Sequence, residues 1–182
     1  MRLGTLDWTP ALDSPDLLAA PVLQTLRDAV GRGEEVARSV LVAPIDPDLA
    51  DTAAMTEAYG LTLDISGNCV LVAGSRAGQE RVAACVVRAS TRADVNTTVR
   101  KLLDVRKCSF MPMAAAVADS GMEYGGITPI GLPDHHRVLL DASLADAEHV
   151  VIGSGIRGSK LVLPGAALVA LADAEVVQSL GR

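Results

Sequence analysis

The sequence predicts a mixed α+β fold: one domain with a mixed, partly antiparallel sheet flanked by helices. Three observations predict it. Short β-branched and aliphatic runs interleave with segments of helical period along all 182 residues, a length that suits one domain burying about 70% of its unfolded surface. Two strand-like runs, residues 69–73 and 81–87, are joined by Gly74-Ser75-Arg76-Ala77-Gly78, which reads as a hairpin turn and excludes a wholly parallel, doubly wound sheet. Hydrophobic residues make up 49% of the chain but aromatics only 2%, so the core must be built from Val, Leu, Ile and Ala.

The elements follow in order. Residues 1–20 are irregular and punctuated by proline, with N-cap and first-turn chemistry at Ser14-Pro15-Asp16. Pro21 opens a longer helix in which Val22, Leu23, Leu26, Ala29 and Val30 recur at helical spacing, and Gly31 and Gly33 end it. Alternation over residues 36–42 predicts a strand. Asp51 caps a second helix that runs to Tyr59 and stops at Gly60. The hairpin comes next, followed by a helix over 93–103 begun near Thr91 or Asp94, a short strand over 107–110, and a helix over 112–118 ended by Gly121. Strands are expected at 137–140, 149–152 and 160–163, then a helix over 164–172 and a last strand over 175–177. Residues 1–50 read as an N-terminal extension with the first helix and strand, part of the same domain as the core of residues 51–182.

Composition excludes several classes of function. The net charge is −6, with 16 basic and 22 acidic residues, which disfavours tight nonspecific binding to nucleic acid, and the scarcity of aromatics argues against base-stacking platforms. Arg92, Arg100, Lys101, Arg106 and Lys107 cluster locally, read either as a solvated helix face or as a modest phosphate contact. Cys69, Cys85 and Cys108 are odd in number, widely spaced and outside any C-x-x-C pair, as expected of reduced thiols in a cytoplasmic protein. The N-terminus lacks an apolar signal core, and no run reaches the roughly 18 apolar residues of a membrane span.

The chemistry concentrates in two glycine-rich runs. Gly125-Gly126-Ile127-Thr128-Pro129-Ile130-Gly131-Leu132-Pro133 fixes a backbone that is neither helix nor strand and presents bare N–H and C=O groups to anything that approaches. Gly153-Ser154-Gly155-Ile156-Arg157-Gly158 matches G-x-G-x-x-G, but it precedes a strand-like run where a dinucleotide site needs a helix, so the match is treated as chance. No G-x-S-x-G elbow is present. His135 and His136 follow Pro133-Asp134 and invite a metal or general-base reading, with His149 a third candidate; lacking a second ligand pair at zinc spacing, they are read as surface turn residues. Met111 and Met113 are core filler or the lining of an apolar pocket.

From Asp51 to Val177 the ordered set of motifs resembles the YbaK/EbsC family, the prolyl-tRNA-synthetase-associated domain. The residues that carry it are the helix-then-strand unit of 51–60 and 68–72, the run Arg100-Lys101-Leu102-Leu103-Asp104-Val105-Arg106-Lys107, a G-x-x-x-P loop at Tyr124-Gly125-Gly126-Ile127-Thr128-Pro129, Asp141 after the next strand, and the closing glycine turn with Lys160. The resemblance implies a barrel-like curl of the sheet and hydrolysis of mischarged aminoacyl-tRNA. It implies catalytic roles for Gly125, Gly126, Thr128, Pro129 and Asp141, substrate contacts from Asn68, Gly131, Gly153, Ser154, Gly155, Arg157 and Lys160, and tRNA contacts from Arg100 and Lys101. It further implies no cofactor or metal, and partners limited to the acceptor end of aminoacyl-tRNA and a synthetase, with no DNA or membrane. In one place the sequence departs from the family: Asn68 stands where a lysine is common. Three readings follow: a trans-editing deacylase, a module that binds aminoacyl-tRNA or a synthetase without turnover, and a hydrolase of another small acyl or amide substrate.

Overall fold

A computed structural model describes residues 1–182. The chain opens with a ribbon of β1 (Arg2–Leu3) and β2 (Leu6–Asp7), then β3 (Thr9–Pro10), two short 3-10 turns and α1 (Ala20–Gly31). Val22, Leu26 and Ala29 form the buried face of α1, at the spacing that the sequence showed. The expected strand over 36–42 begins late. Glu35–Ser39 is a 3-10 helix, pinned by an ion pair of 3.2 Å between Arg38 and Glu35, and β4 spans Leu41–Pro44. Val36 is exposed and Ala37 buried, so the apparent alternation belonged to one tight turn.

Next come α2 (Thr52–Tyr59), ended by Gly60 in the left-handed region at φ 63°, and the long hairpin of β5 (Gly67–Arg76) and β6 (Gln79–Arg88). The hairpin turn is tighter than the glycines suggest. Only Ala77 and Gly78 turn, at φ 52° and 78°, the mirror-image geometry that matches strand twist. Gly74 lies inside β5, where a Cβ would come within 2.7 Å of the Lys107 carbonyl. Its missing side chain admits β7 (Cys108–Phe110), which pairs with β5 there.

Asp94 accepts hydrogen bonds from the backbone N–H groups of Thr97 and Thr98, both at 3.2 Å, and so starts a π-turn at Val95–Val99 that continues as α3 (Arg100–Leu102). After β7 follow α4 (Met113–Ser120), β8 (His136–Asp141), α5 (Ala142–Ala145), β9 (Val150–Gly153), β10 (Ser159–Leu163), α6 (Gly165–Leu171) and β11 (Glu175–Val177).

The strands form two main sheets beside the ribbon, and none closes into a barrel. One is antiparallel in the order β3-β4-β10-β9; the other is mixed, β11-β8-β6-β5-β7, with β8 parallel to both of its neighbours. Side chains alternate across the five-stranded sheet as the period of two requires. Leu71, Ala84, Val86, Val138 and Leu140 join Ile152, Leu161 and Leu163 of the other sheet and Val22 and Leu26 of α1 in the main core. Val72, Ala83, Cys85, Val87 and Leu139 face the opposite way, against Val95, Val99 and Leu103. The outer face of the four-stranded sheet is covered by Trp8, Met55 and Leu61. Residues 1–50 therefore supply two of that sheet's strands and part of its packing. The two sheets meet at a seam, where Ser66 bridges Val151 and the Val151 N–H donates to the Ile65 carbonyl at 2.7 Å. No helix is long and apolar enough to cross a membrane.

Ala77 holds a left-handed conformation that costs an L-residue about 1 kcal/mol. Replacing Ala77 with Gly or Asn is expected to raise unfolding free energy by roughly 0.5–1 kcal/mol in urea titration. An unchanged or lower midpoint would contradict the turn geometry.

Candidate active site

The two glycine runs pack against each other, backbone on backbone. The Gly155 N–H donates to the Gly126 carbonyl at 2.8 Å, and the Glu123 N–H donates to the Gly155 carbonyl at 2.8 Å. A Cβ on Gly126 would sit 2.5 Å from the Ile156 carbonyl, and one on Gly153 would overlap the Gly126 carbonyl. Glycine at these positions is a condition of contact between the loops. The second loop is fixed in turn by Ser154, whose buried hydroxyl meets Ser159 Oγ at 2.6 Å, and by Ser159 Oγ, which donates to the Leu17 carbonyl at 2.6 Å.

Beneath these loops, at the seam of the two sheets, lies a cavity of about 800 Å³. Its walls are the N-terminal end of α2 (Asp51, Thr52, Ala53), the start of β5, residues of β9, Lys160 of β10, Gly125, and the apolar Met111, Met113 and Ala116. Sixteen of its 24 lining residues are hydrophobic, and Lys160 and Asp51 are the charged ones. Lys160 is 5% exposed. Its Nζ donates to the Ala50 carbonyl at 3.0 Å and to the Gly125 carbonyl at 3.4 Å, which leaves one of three N–H donors for a ligand. Burial, assisted by the positive charge of Arg157, lowers the Lys160 ammonium to about 8, while Asp51 pulls the other way. Lys160 is therefore a cation at neutral pH that water solvates poorly.

Other donors converge on the same space. Asn68 Oδ1 accepts from Thr52 Oγ1 at 2.6 Å, so its NH₂ group is the end available to a ligand. Asp51 occupies the N-cap position of α2 without making a side-chain cap, so the positive end of that helix also faces the cavity. The thiol in the wall, Cys69, is no nucleophile: burial, with Cys85 second, raises its pKa well above the ordinary range.

Of the residues singled out in the sequence, Asn68, Gly125, Gly153 and Lys160 line this cavity. The others have different places. Gly126, Ser154 and Gly155 hold the loops together, and Thr128 is fully buried with its Oγ1 unpartnered. Pro129 and Gly131 border a separate cavity of about 330 Å³, with Gly131 backed closely by the Pro21 carbonyl. Arg157 is tied to the chain itself, through the carbonyls of Tyr124 at 3.2 Å and Pro47 at 3.0 Å. Arg100 and Lys101 ride on the segment that covers the opposite face of the five-stranded sheet. Lys160 is the charged residue of that expected substrate set that enters the cavity, where it is buried, while Arg157 does not line it.

Asp141 is not in the cavity. One oxygen caps α5 by accepting from the Ser143 N–H at 2.9 Å, and the other accepts from the Gly181 N–H at 2.8 Å. Burial raises its pKa, but these hydrogen bonds outweigh it, the Gly181 N–H most of all, and the net shift is downward. Its stabilisation is therefore full above the ordinary carboxylate range and is lost as pH falls through the lowered value.

Sequence reasoning missed Asp51 as a site residue, because its cap position accounted for it fully. It offered Met113 as pocket lining but missed Phe110 and Tyr124 beside it on the rim. Phe110, Met113 and Tyr124 are 59%, 58% and 56% exposed, and all three line the cavity. An apolar rim left open to water beside a polar floor marks a ligand groove.

Gly153→Ala is expected to lower unfolding free energy by about 2 kcal/mol or more, since backbone must move to admit the methyl group. Wild-type stability in that variant would refute the loop contact. Asp141→Ala should cost about 1–2 kcal/mol through loss of the cap, with the loss shrinking in acid, as unfolding titrations at neutral and acid pH would show. Wild-type stability in that variant at neutral pH would contradict the cap.

Comparison with known proteins agrees with this architecture. The model of the aminoacyl-tRNA editing domain family matches residues 46–171. A solved structure described as a candidate trans-editing enzyme for prolyl-tRNA synthetase is similar with a TM-score of 0.71 at 16% identity, over 88% of this chain and 97% of that one. The hypothetical protein APE2540 is similar with a TM-score of 0.72 at 19% identity, over 87% and 99%. No curated protein matches. At these identities the solved structures establish the fold, and the family match, over more than half of the sequence, establishes the membership: the chain belongs to the aminoacyl-tRNA editing domain family.

Proposed function

We propose that the chain hydrolyses the ester of mischarged aminoacyl-tRNA, acting in trans on the acceptor end. The observation that carries this reading is Lys160, a poorly solvated ammonium held by two backbone carbonyls with one donor free in a mostly apolar cavity. Ester hydrolysis develops negative charge on the carbonyl oxygen, and a fixed cation in a dry site stabilises that charge strongly. The uncapped end of α2 adds to the same field. In the step itself, water oxygen bonds to the ester carbon, the bond from that carbon to the ribose oxygen breaks, and the ribose oxygen leaves with a proton. The products are free amino acid and uncharged tRNA.

The remaining groups set orientation. Asp51 attracts the α-ammonium of the aminoacyl group, the Asn68 NH₂ donates to the ribose or ester, and Phe110 with Tyr124 at the rim stacks the terminal adenine. The apolar walls favour a small uncharged side chain. Lys160 thus supplies, from the neighbouring sheet, the positive charge that Asn68 lacks. A second reading, binding without turnover, is favoured by Asn68 alone, and the two separate on catalysis.

A panel of mischarged aminoacyl-tRNAs incubated with purified protein is expected to release amino acid, and Lys160→Met should lower kcat/KM by about 100-fold. The ratio of enzymatic to spontaneous hydrolysis should fall as pH rises through about 8, where Lys160 loses its proton, and should be flat in the variant. Undiminished turnover in Lys160→Met would overturn the mechanism. No turnover across the panel, with binding retained, would establish the second reading. Phe110→Ala should raise KM several-fold while kcat stays level, and an unchanged KM would remove the stacking role.

A further inference from the structure

Outside the ester cavity, three side chains that do not line it converge. Asp119 lies near the end of α4, His135 in the turn before β8, and His136 at the first position of β8. The Asp119 Oδ2 atom is 3.1 Å from His135 Nε2 and 3.0 Å from His136 Nε2, and the three ligand atoms all lie within 4.8 Å of one another. The sequence separates the first member from the other two by a whole loop, which hides the triad from any spacing rule.

The state of His136 is the informative detail. Its side chain is fully buried, and its Nδ1 faces the Pro133 carbonyl at 3.3 Å. A carbonyl only accepts, so Nδ1 carries the proton and Nε2 presents a lone pair. Nε2 is buried without a hydrogen-bond partner, because Asp119 Oδ2, although near, is not aligned to accept from it. A nitrogen lone pair and a carboxylate oxygen at 3.0 Å repel unless something positive lies between them. A proton there would require both ring nitrogens of His136 to carry hydrogen.

We propose that Asp119, His135 and His136 form a binding site for a divalent transition-metal ion of the zinc class. Two imidazole nitrogens and a carboxylate oxygen are the donor types such ions take. Four-coordinate bonds of about 2.1 Å place ligand atoms about 3.4 Å apart; here the carboxylate oxygen lies 3.1 and 3.0 Å from the two imidazole nitrogens, and the whole set falls within 4.8 Å. The Pro133 carbonyl plays the outer-shell part that holds a metal-binding histidine in the right tautomer. His135, with its side chain 55% exposed, provides the entry path, and the fourth position opens to water on that side. The ion would join α4 to β8, and α4 contributes Met113 and Ala116 to the cavity wall. This site stands whether or not the ester cavity turns over substrate.

The test is calorimetric titration of chelator-treated full-length protein with zinc chloride, with cobalt(II) absorption as a reporter of geometry. One ion per chain is expected, with a tetrahedral cobalt spectrum and a rise in Tm. His135→Ala and Asp119→Asn alter partly exposed side chains and are expected to fold; each should weaken binding by at least about tenfold and abolish the Tm shift. His136→Gln, checked by circular dichroism, should do the same. Absence of zinc binding by the wild-type protein would overturn the proposal, as would equal affinity in His135→Ala and Asp119→Asn, which would place the ion elsewhere.

Discussion

The close contact between the Gly126 carbonyl and the Gly153–Gly155 backbone governs the rest of this molecule. It joins a loop that follows α4 to the turn between β9 and β10, and so positions the Gly125 carbonyl over the Lys160 ammonium. Any side chain at Gly126 or Gly153 would push the loops apart, and the roof of the cavity with them. The glycines thus act on chemistry indirectly. They let two stretches of backbone approach to van der Waals distance, and the cavity forms beneath.

Burying Lys160 is costly, because an ammonium loses its hydration there, and two carbonyl contacts compensate for part of it. Such a group is hard to account for by stability alone. Desolvation that weakens the protonated state also makes its field effective, since little water remains to screen it. Asp51 and Arg157 act on it from opposite signs of charge, and the balance leaves the side chain protonated in most molecules at neutral pH. The uncharged Asn68 and the buried Lys160 line one cavity from two different sheets, so a positive charge is present although β5 does not supply it.

Much of the fold was legible because its signals are local. Gly60 and Gly121 ended helices in the left-handed region, the hydrophobic spacing of α1 matched its buried face, and the aliphatic runs of β5 and β6 paired as expected. The structure departs from the sequence reading in two ways. At residues 36–42 and 74–78 the pattern was real but its cause was not local: a 3-10 turn mimicked alternation, and Gly74 answers to a crossing strand. Within the site, motif membership did not reveal direction. Asp141 points into a cap, Thr128 is buried away from the cavity, and Lys160 enters it from a face of β10 that the motif alone did not assign. His135 and His136 were read as surface turn residues because folding alone brings the Asp119 carboxylate to them, and His136 is in fact buried.

The account depends on the acyl end of the substrate lying beneath the glycine loops and beside Lys160. The direct measurement is a structure, or a set of NMR shift changes, with an amide-linked analogue of aminoacyl-adenosine that the protein does not hydrolyse. The account predicts the analogue's carbonyl oxygen within hydrogen-bond distance of Lys160 Nζ, its adenine against Phe110 or Tyr124, and a perturbed Lys160 resonance. An analogue bound instead along the face carrying Arg100 and Lys101, with Lys160 unaffected, would contradict it.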